Sequence, residues 1–400
     1  MNKVELLAPA GDLKRLKTAV NFGADAVYLG GKSYSLRARA SNFQRQDIID
    51  AVNYAHAHHK KVFVTINMIF HEEDLEGLRA YLIDLDEIGV DAIIVASYYV
   101  VKLALEVTQS MEIHLSTQLS ATNAHALTFY KKLGADRVVL ARECSLVDVQ
   151  QINAKQILPT EVFIHGGMCA NISGRCTLSN YMTYRDANRG GCAQSCRWKY
   201  EVYDQDQQKF KETATLFSMS SKDLNATPIL KELLEAKVAS LKIEGRMKSE
   251  YYLATVVSAY RMLIDKMNTM NHADLVEQVN HELSKAEGRE TFTGFYERVP
   301  DAGGHLYEAN GAGVMQVFLG VVLGFDAQTS MATMQVRNHF DVGTTIEIFG
   351  PKHENFTADV TTIIDSEGEI VQRVYKPMEI IQIKLPFSVD AGDFIRKVNA

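Results

Sequence analysis

The chain has 400 residues, 46% hydrophobic and 23% charged, a balance that suits two or three globular domains and excludes disordered, collagenous and disulfide-scaffold chains. Its 42 Lys and Arg against 49 Asp and Glu give a formal charge of −7, which rules out a basic coat for nucleic acid but not a local basic patch. No apolar run reaches the roughly 20 residues that a bilayer-spanning helix needs. Glu5 and Asp12 interrupt any signal-peptide pattern, so a cytoplasmic protein is expected.

In chain order, short apolar runs alternate with amphipathic helical stretches. The strand-like runs are Val4–Ala8, Ala26–Gly30, Val62–Ile66, Ala92–Ala96, Ile113–Ser116, Val138–Ala141, Val162–His165 and Ser240–Ile243. Helical patterns lie between them at Asp12–Phe22, Asp47–His58, Asp74–Ile88 and Thr122–Leu133, and Gly23, Gly89 and Gly134 suit the left-handed residue that ends a helix. Near-continuous apolar strands separated by helices predict an α/β fold with a parallel sheet, and their number fits a TIM-like (β/α)8 barrel. An open doubly wound sheet fits less well, because no glycine-rich dinucleotide turn follows the first strand.

About 75 residues separate His165 from Ser240, far more than an ordinary barrel connection, so residues 165–239 are expected to hold an insertion. Within it, Tyr200–Tyr203 and Thr213–Ser218 form a hairpin pattern and Pro228–Ala236 a helix; Glu250–Met267 and Asp274–Ala286 are helical patterns beyond the last barrel strand. From about residue 310 the pattern changes to short β runs, namely Val314–Leu323, Met331–Val336, Thr345–Ile348, Ala358–Ile364 and Ile380–Lys384. The expected organisation is a barrel with its insertion over residues 1–305 and a small antiparallel C-terminal β-barrel over 306–400.

Four of the five cysteines, Cys169, Cys176, Cys192 and Cys196, fall within 28 residues of the insertion. Four thiolates in one glycine-rich loop can fill the shell of a zinc ion or hold an iron–sulfur cluster, and the spacing leaves both open. The remaining thiol, Cys144, reads as a buried spectator. The loop is also basic: Arg175, Arg185, Arg189, Arg197 and Lys199 against Asp186 give +4, while the rest of the chain carries −11. Tyr181, Tyr184, Trp198 and Tyr200 are interleaved. Arginine with aromatics suits a phosphate backbone and stacked bases; the competing reading is that the arginines offset the charge of a thiolate-bound centre.

Barrel enzymes place their working residues just past the carboxyl ends of the strands. Those positions hold Arg37, Arg39 and Asn42 after the second strand, Asn67 after the third, Thr117 and Gln118 after the fifth, Arg142 and Glu143 after the sixth, and Glu244 and Arg246 after the eighth. Arg39, Arg142 and Arg246 are candidate anion-binding residues, and internal ion pairing is the alternative for each. Glu5 on the first strand is expected to pair with Lys242 on the eighth.

The run Glu161–Cys169 with Gly174, Cys176, Leu178 and Ser179 resembles the signature of the collagenase-like peptidase family U-32. Leu6, Ala8, Pro9 and Gly11, then Leu36, Arg39, Asn42 and Phe43, and finally Lys242, Glu244, Gly245 and Arg246 fit the same family, so the likeness spans the chain. One departure is Gly167, where the family has Ala or Ser. The better-understood members imply oxygen-independent hydroxylation supported by a 4Fe–4S cluster, and the layout most resembles the branch that hydroxylates the tRNA wobble uridine to 5-hydroxyuridine with prephenate as hydroxyl source. The resemblance therefore implies Cys169, Cys176, Cys192 and Cys196 as cluster ligands, with zinc as the alternative. It implies prephenate on Arg39, Arg142 or Arg246 with Glu244 beside them, and tRNA on Arg175, Arg185, Arg189, Arg197, Trp198 and Lys199. A homodimer or a pairing with a paralogous family member is the expected assembly. The family name points to a rival, a peptidase acting on collagen-like chains, but no Gly-x-Ser-x-Gly elbow occurs and the sequence from His71 to Glu73 is not followed by a second histidine at zinc-protease spacing. A non-catalytic RNA-binding cluster protein is the third reading.

Overall fold

The computed structural model describes residues 4–36, 41–209, 216–286, 288–306 and 317–398. The strands run β1 (Glu5–Pro9), β2 (Ala26–Gly30), β3 (Lys61–Ile66), β4 (Ala92–Val95), β5 (Glu112–Leu115), β6 (Arg137–Val139), β7 (Thr160–Gly167), a short β8 (Asp223–Asn225), β9 (Ser240–Ile243) and β10 (Thr291–Phe292). β1 to β7 pair in parallel in sequence order, and β9 joins β7 to β1, which closes an eight-stranded barrel. Each strand is buried on both faces, as a barrel requires. Leu6, Val27, Val64 and Ile93 pack outward against the helices, while Leu7, Tyr28, Phe63 and Ile94 fill the interior. Asp12 caps the first helix by accepting the Arg15 N–H at 2.9 Å, and Gly23, Gly89 and Gly134 take positive φ of 108°, 88° and 99° at helix ends.

The lower interior of the barrel is ionic. Lys242 does not meet Glu5, although β9 lies beside β1. Leu7 and not Glu5 is level with Lys242, and the ammonium instead donates to Glu161 Oε1 at 2.7 Å. Arg137 takes Glu5 at 2.5 Å and also reaches Glu161 Oε2 at 3.3 Å. The tilt of barrel strands makes such diagonal neighbours meet. Burial pushes the fully enclosed Glu161 carboxyl upward, but Lys242 and Arg137 outweigh it and hold it below the ordinary carboxylate range. His114 sits in the same layer, its ring edge-on to Phe63 at 4.8 Å, and burial lowers its pKa.

The insertion leaves at the end of β7. β8 returns antiparallel to β7, and β10 adds beside it, so the barrel carries a small outer flap that the apolar pattern does not announce. The expected hairpin at Tyr200 survives as isolated bridges, Tyr200 to Phe217 and Tyr203 to Lys209; Thr213 to Thr215 lie outside the described residues.

Among the described residues the C-terminal part is an antiparallel sheet of eight strands, a half-barrel with its own core of Leu319, Val322, Met334, Ile346, Ile383 and Ile395, plus a two-stranded pairing of Phe340–Asp341 with Arg373–Val374. The expected run Ala358–Ile364 is broken into Phe356–Asp359 and Ile363–Ile364, and Phe394–Lys397 is an additional strand. An aromatic joint of Phe22, Tyr251, Phe318, Phe349 and Phe394 packs this sheet against the barrel's helices, beside the buried Arg396, which pairs with Glu347 and, at 2.7 Å, with Glu282. No helix among the described residues is long and apolar enough to cross a membrane.

Replacing one partner of a buried ion set leaves the others uncompensated. Glu161→Gln is expected to cost about 3–5 kcal/mol in denaturant unfolding, and adding Lys242→Met is expected to recover part of that loss. Equal stability of Glu161→Gln and wild type would show that the layer carries no net interaction.

Candidate active site at the barrel mouth

A cavity of about 240 Å³ opens at the carboxyl end of the barrel strands, where barrel sites form. Tyr28, Ile94, Val139 and Phe163 give it an apolar lower wall, with Lys242 among them. Gln118, Arg142, Glu244 and Arg246 line it at the level of the strand ends, and Cys169, Cys176, Cys192 and Cys196 line its outer part. The thiols and the mouth residues singled out in the sequence thus share one space. Arg39 lies outside the described residues.

Arg142 is held on three sides. It stacks on Phe163 with the guanidinium carbon 3.9 Å from the ring centre, donates to Gly167 O at 3.2 Å, and pairs with Glu244 Oε2 at 3.3 Å. Arg142 is thus ion-paired within the chain, with Glu244 as its partner. Glu143 faces away and accepts the Ser173 N–H at 2.8 Å, anchoring the first turn of the insertion. Arg246 is 4% exposed and donates to Ser35 Oγ and Thr65 Oγ1 at 3.0 and 3.1 Å. Its approach requires glycine at position 30, where a Cβ would lie 2.1 Å from Arg246 Nη1. At Gly167 a Cβ would stand 3.0 Å from the end of the Arg197 side chain, so the departure from the family's Ala or Ser relieves a contact that a flexible guanidinium can yield.

The insertion folds as single helical turns, Ile172–Gly174, Leu178–Thr183, Ala187–Arg189 and Ser195–Arg197. Asn188 ties two of them, accepting the Cys176 N–H at 3.1 Å and donating to the Cys176 carbonyl at 2.9 Å. Ser173, Tyr184 and Gln194 hold left-handed backbone at φ of 52°, 55° and 57°, which costs non-glycine residues about 1–3 kcal/mol each unless the surroundings impose it. All four thiols are free and partly buried. Cys176 Sγ accepts the Asn171 side-chain amide at 3.2 Å and the Leu178 N–H at 3.3 Å. Burial, then Cys169, raises the Cys196 thiol, with Arg197 opposing, so the four sulfurs feel one another. These four residues are the ones that could hold a metal or cluster. Among the described residues, no three His, Cys, Asp or Glu side chains are grouped to hold a single ion.

The six basic and aromatic candidates of the loop divide. Arg175, Trp198 and Lys199 are exposed, with Tyr181 and Tyr184 81% and 97% exposed beside them in sequence. Arg185 and Arg197 are partly buried, and Arg197 reaches Asp223 at 3.9 Å. Arg189 does not face outward as a free cation: it pairs with Glu73 at 3.1 Å and Asp74 at 2.7 Å and contacts His71 at 3.0 Å, pinning the insertion to the turn after β3. The charged segment from His71 to Asp74 therefore serves as an anchor. Cys144 is buried, and burial pushes its thiol up to about 12, in keeping with a spectator.

Two functional features escaped the sequence. Lys242 and Glu161 form the charged layer beneath the cavity, and Ser195 Oγ and the Gln118 amide face it without partners. Position after a strand end pointed to Gln118, but nothing in the sequence distinguished an unsatisfied amide from a satisfied one. No His or Asp side chain is among the described residues that line the cavity, so it offers no Ser–His or Cys–His pair.

Gly30→Ala is expected to displace Arg246, with a cost of roughly 1–3 kcal/mol from overpacking. Gly324→Ala, which meets nothing within 4 Å, is the control and is expected to stay within about 0.5 kcal/mol of wild type. Thermal or denaturant unfolding of the two variants checks this, and equal stabilities would refute the contact.

The chain is similar to several known proteins. It is 42% identical over 400 residues to "tRNA hydroxylation protein P1" of Bacillus subtilis, covering 99% of this chain and 95% of that one. It is 38% identical over 264 residues to "23S rRNA 5-hydroxycytidine C2501 synthase" of Escherichia coli, covering 66% of this chain and 40% of the relative. It is 30% identical over 367 residues to "Collagenase" of Porphyromonas gingivalis, covering 88% and 87%. The profile of peptidase family U32 matches residues 11–305 and that of the family's C-terminal domain matches residues 315–396. With both profiles matched in order along nearly the whole chain, the protein belongs to peptidase family U32.

Proposed function

We propose that the chain is an RNA-modifying hydroxylase that converts a tRNA wobble uridine to 5-hydroxyuridine without oxygen, using a 4Fe–4S cluster on Cys169, Cys176, Cys192 and Cys196 and prephenate as hydroxyl donor. The observation that carries this reading is that four thiols and a cationic barrel mouth line one cavity. The relatives named for tRNA hydroxylation and for an rRNA 5-hydroxycytidine support the reaction class.

The alternative occupant of the four thiols is a single zinc ion. When bound, the cluster supplies redox or Lewis-acid chemistry. The chain's residues do the rest. Cys176 Sγ is oriented by the Asn171 side-chain amide and the Leu178 N–H, which it accepts. Arg142, fixed by Phe163, Gly167 and Glu244, and Arg246, fixed by Ser35 and Thr65, present planar cations to a dicarboxylate, with Arg39 as the further candidate. Glu244 acts by aiming Arg142. On the rim, Arg175, Lys199 and Trp198 with Tyr181 and Tyr184 meet phosphates and unstacked loop bases, which proteins read best. Replacing C5–H by C5–OH removes two electrons from the base, and the hydroxyl donor gains them. For the peptidase alternative, the cavity's described lining holds no histidine to activate a serine or cysteine.

Two measurements test this. Anaerobically purified protein is expected to be brown and to hold about four irons per chain; stoichiometric zinc without visible absorbance would sink the cluster. In a deletion strain free of family paralogues, nucleoside mass spectrometry should show 5-hydroxyuridine derivatives restored by wild type and absent with Cys176→Ala. Unchanged nucleosides in the deletion would defeat the hydroxylase reading, and cleavage of collagen-like peptide by pure protein would favour the peptidase.

A further inference from the structure

Gln118 stands out in the cavity wall. It is 2% exposed, and neither its Oε1 nor its Nε2 has a partner. A buried amide left wholly unsatisfied costs about 1–3 kcal/mol for each missing partner, so such a group in a native fold calls for an explanation. Everything around it is fixed. It lies in the single turn Thr117–Leu119, whose Ser116 Oγ accepts the Gln118 N–H at 3.3 Å. Thr117 Oγ1 donates to Leu140 O at 3.1 Å, Tyr130 OH donates to Leu119 O at 3.1 Å, and Ser120 holds left-handed backbone at φ 54°. The turn is over-determined while the amide it carries is idle, as in a preorganised binding group.

The pattern of unmet needs selects the occupant. A carboxylate brings only acceptors and would leave Oε1 unpaired; a sulfide would do the same. An amide is satisfied at once by a partner that shows a donor and an acceptor side by side in one plane. Uracil does so with N3–H and O4, and cytosine with N4–H and N3, the amide turning over between them. The side chains of Tyr28, Ile94, Val139 and Phe163 line the same cavity and offer flat apolar surface to a ring.

We propose that Gln118 reads the pyrimidine of an RNA substrate, its amide pairing with the imide or amidine edge of a base flipped into the barrel mouth. This rests on the reading of the chain as an RNA hydroxylase and adds the group that selects the base.

The test uses the full-length holoprotein and two anticodon stem-loop RNAs, with uridine or 3-methyluridine at the wobble position; the methyl group removes the N3–H donor and leaves the phosphates unchanged. Dissociation constants are read by fluorescence anisotropy. Wild type is expected to bind the uridine RNA roughly ten- to a hundredfold more tightly, the discrimination a bidentate base contact gives. Gln118→Leu is expected to bind the two within threefold of each other, and so is Gln118→Met, which keeps the length but loses the amide's donor and its oxygen acceptor. The nucleoside assay should show at least a tenfold loss of hydroxyuridine for both variants, with iron content unchanged. Wild type that binds RNA but ignores the methyl group overturns the inference and leaves the hydroxylase reading standing. So does a Gln118→Leu or Gln118→Met protein that retains the full discrimination, or variants whose sole defect is a raised KM for the dicarboxylate. Wild type that binds neither RNA overturns both.

Discussion

The closing strand is the constraint on which the site depends. β9 must pair with β7 on one side and β1 on the other for the barrel to exist, and it continues into the turn that carries Glu244 and Arg246. Lys242 points inward to Glu161, Glu244 steadies Arg142, and Arg246 crosses to Ser35 and Thr65 near β2 and β3. A backbone pairing thus sets the relative positions of three charged groups, and the register is protected because a slip of one residue would send Lys242 into the apolar shell of helices. Buried charges are poor sources of net stability but sharp determinants of geometry, since each wrong arrangement strands an ion.

The insertion works by the opposite logic. Among its described residues, Cys169 to Trp198 form no strand, and this part relies on polar ties: Asn188 across Cys176, Glu143 to Ser173, and Arg189 to Glu73 and Asp74. Several ties come from loops at the barrel's mouth, so the thiols are located relative to the strand ends. A centre bound by the four cysteines would add the missing cross-links, because ligand binding by an otherwise weakly packed loop is also folding energy.

Much of the fold was legible because strands buried on both faces leave apolar runs that survive without an alignment. All eight barrel strands carry such runs, and Gly89 and Gly134 end helices as expected. The flap strands β8 and β10 were not legible, being three and two residues long with no pattern to read. Glu5 with Lys242 failed for a geometric reason: adjacency of strands does not tell which residues share a layer once the barrel is tilted. At the site, Arg142, Glu244 and Arg246, chosen by chain position, and the clustered cysteines all line the cavity, whereas charge alone gave no sign that Arg189 pairs with Glu73 and Asp74, over a hundred positions away in the chain.

The ionic layer beneath the cavity also plugs the barrel. With Glu161 and His114 fully buried and Lys242 and Arg137 nearly so, this is a cup and not a tube. A vessel with a single doorway imposes an order of entry. On the proposed reading, an RNA seated on the rim would stopper the cup, so the small dicarboxylate has to be inside first and its remnant has to wait for the polymer to leave. Steady-state kinetics of such an enzyme take a compulsory-order form, with excess RNA trapping the empty cup as a dead-end complex.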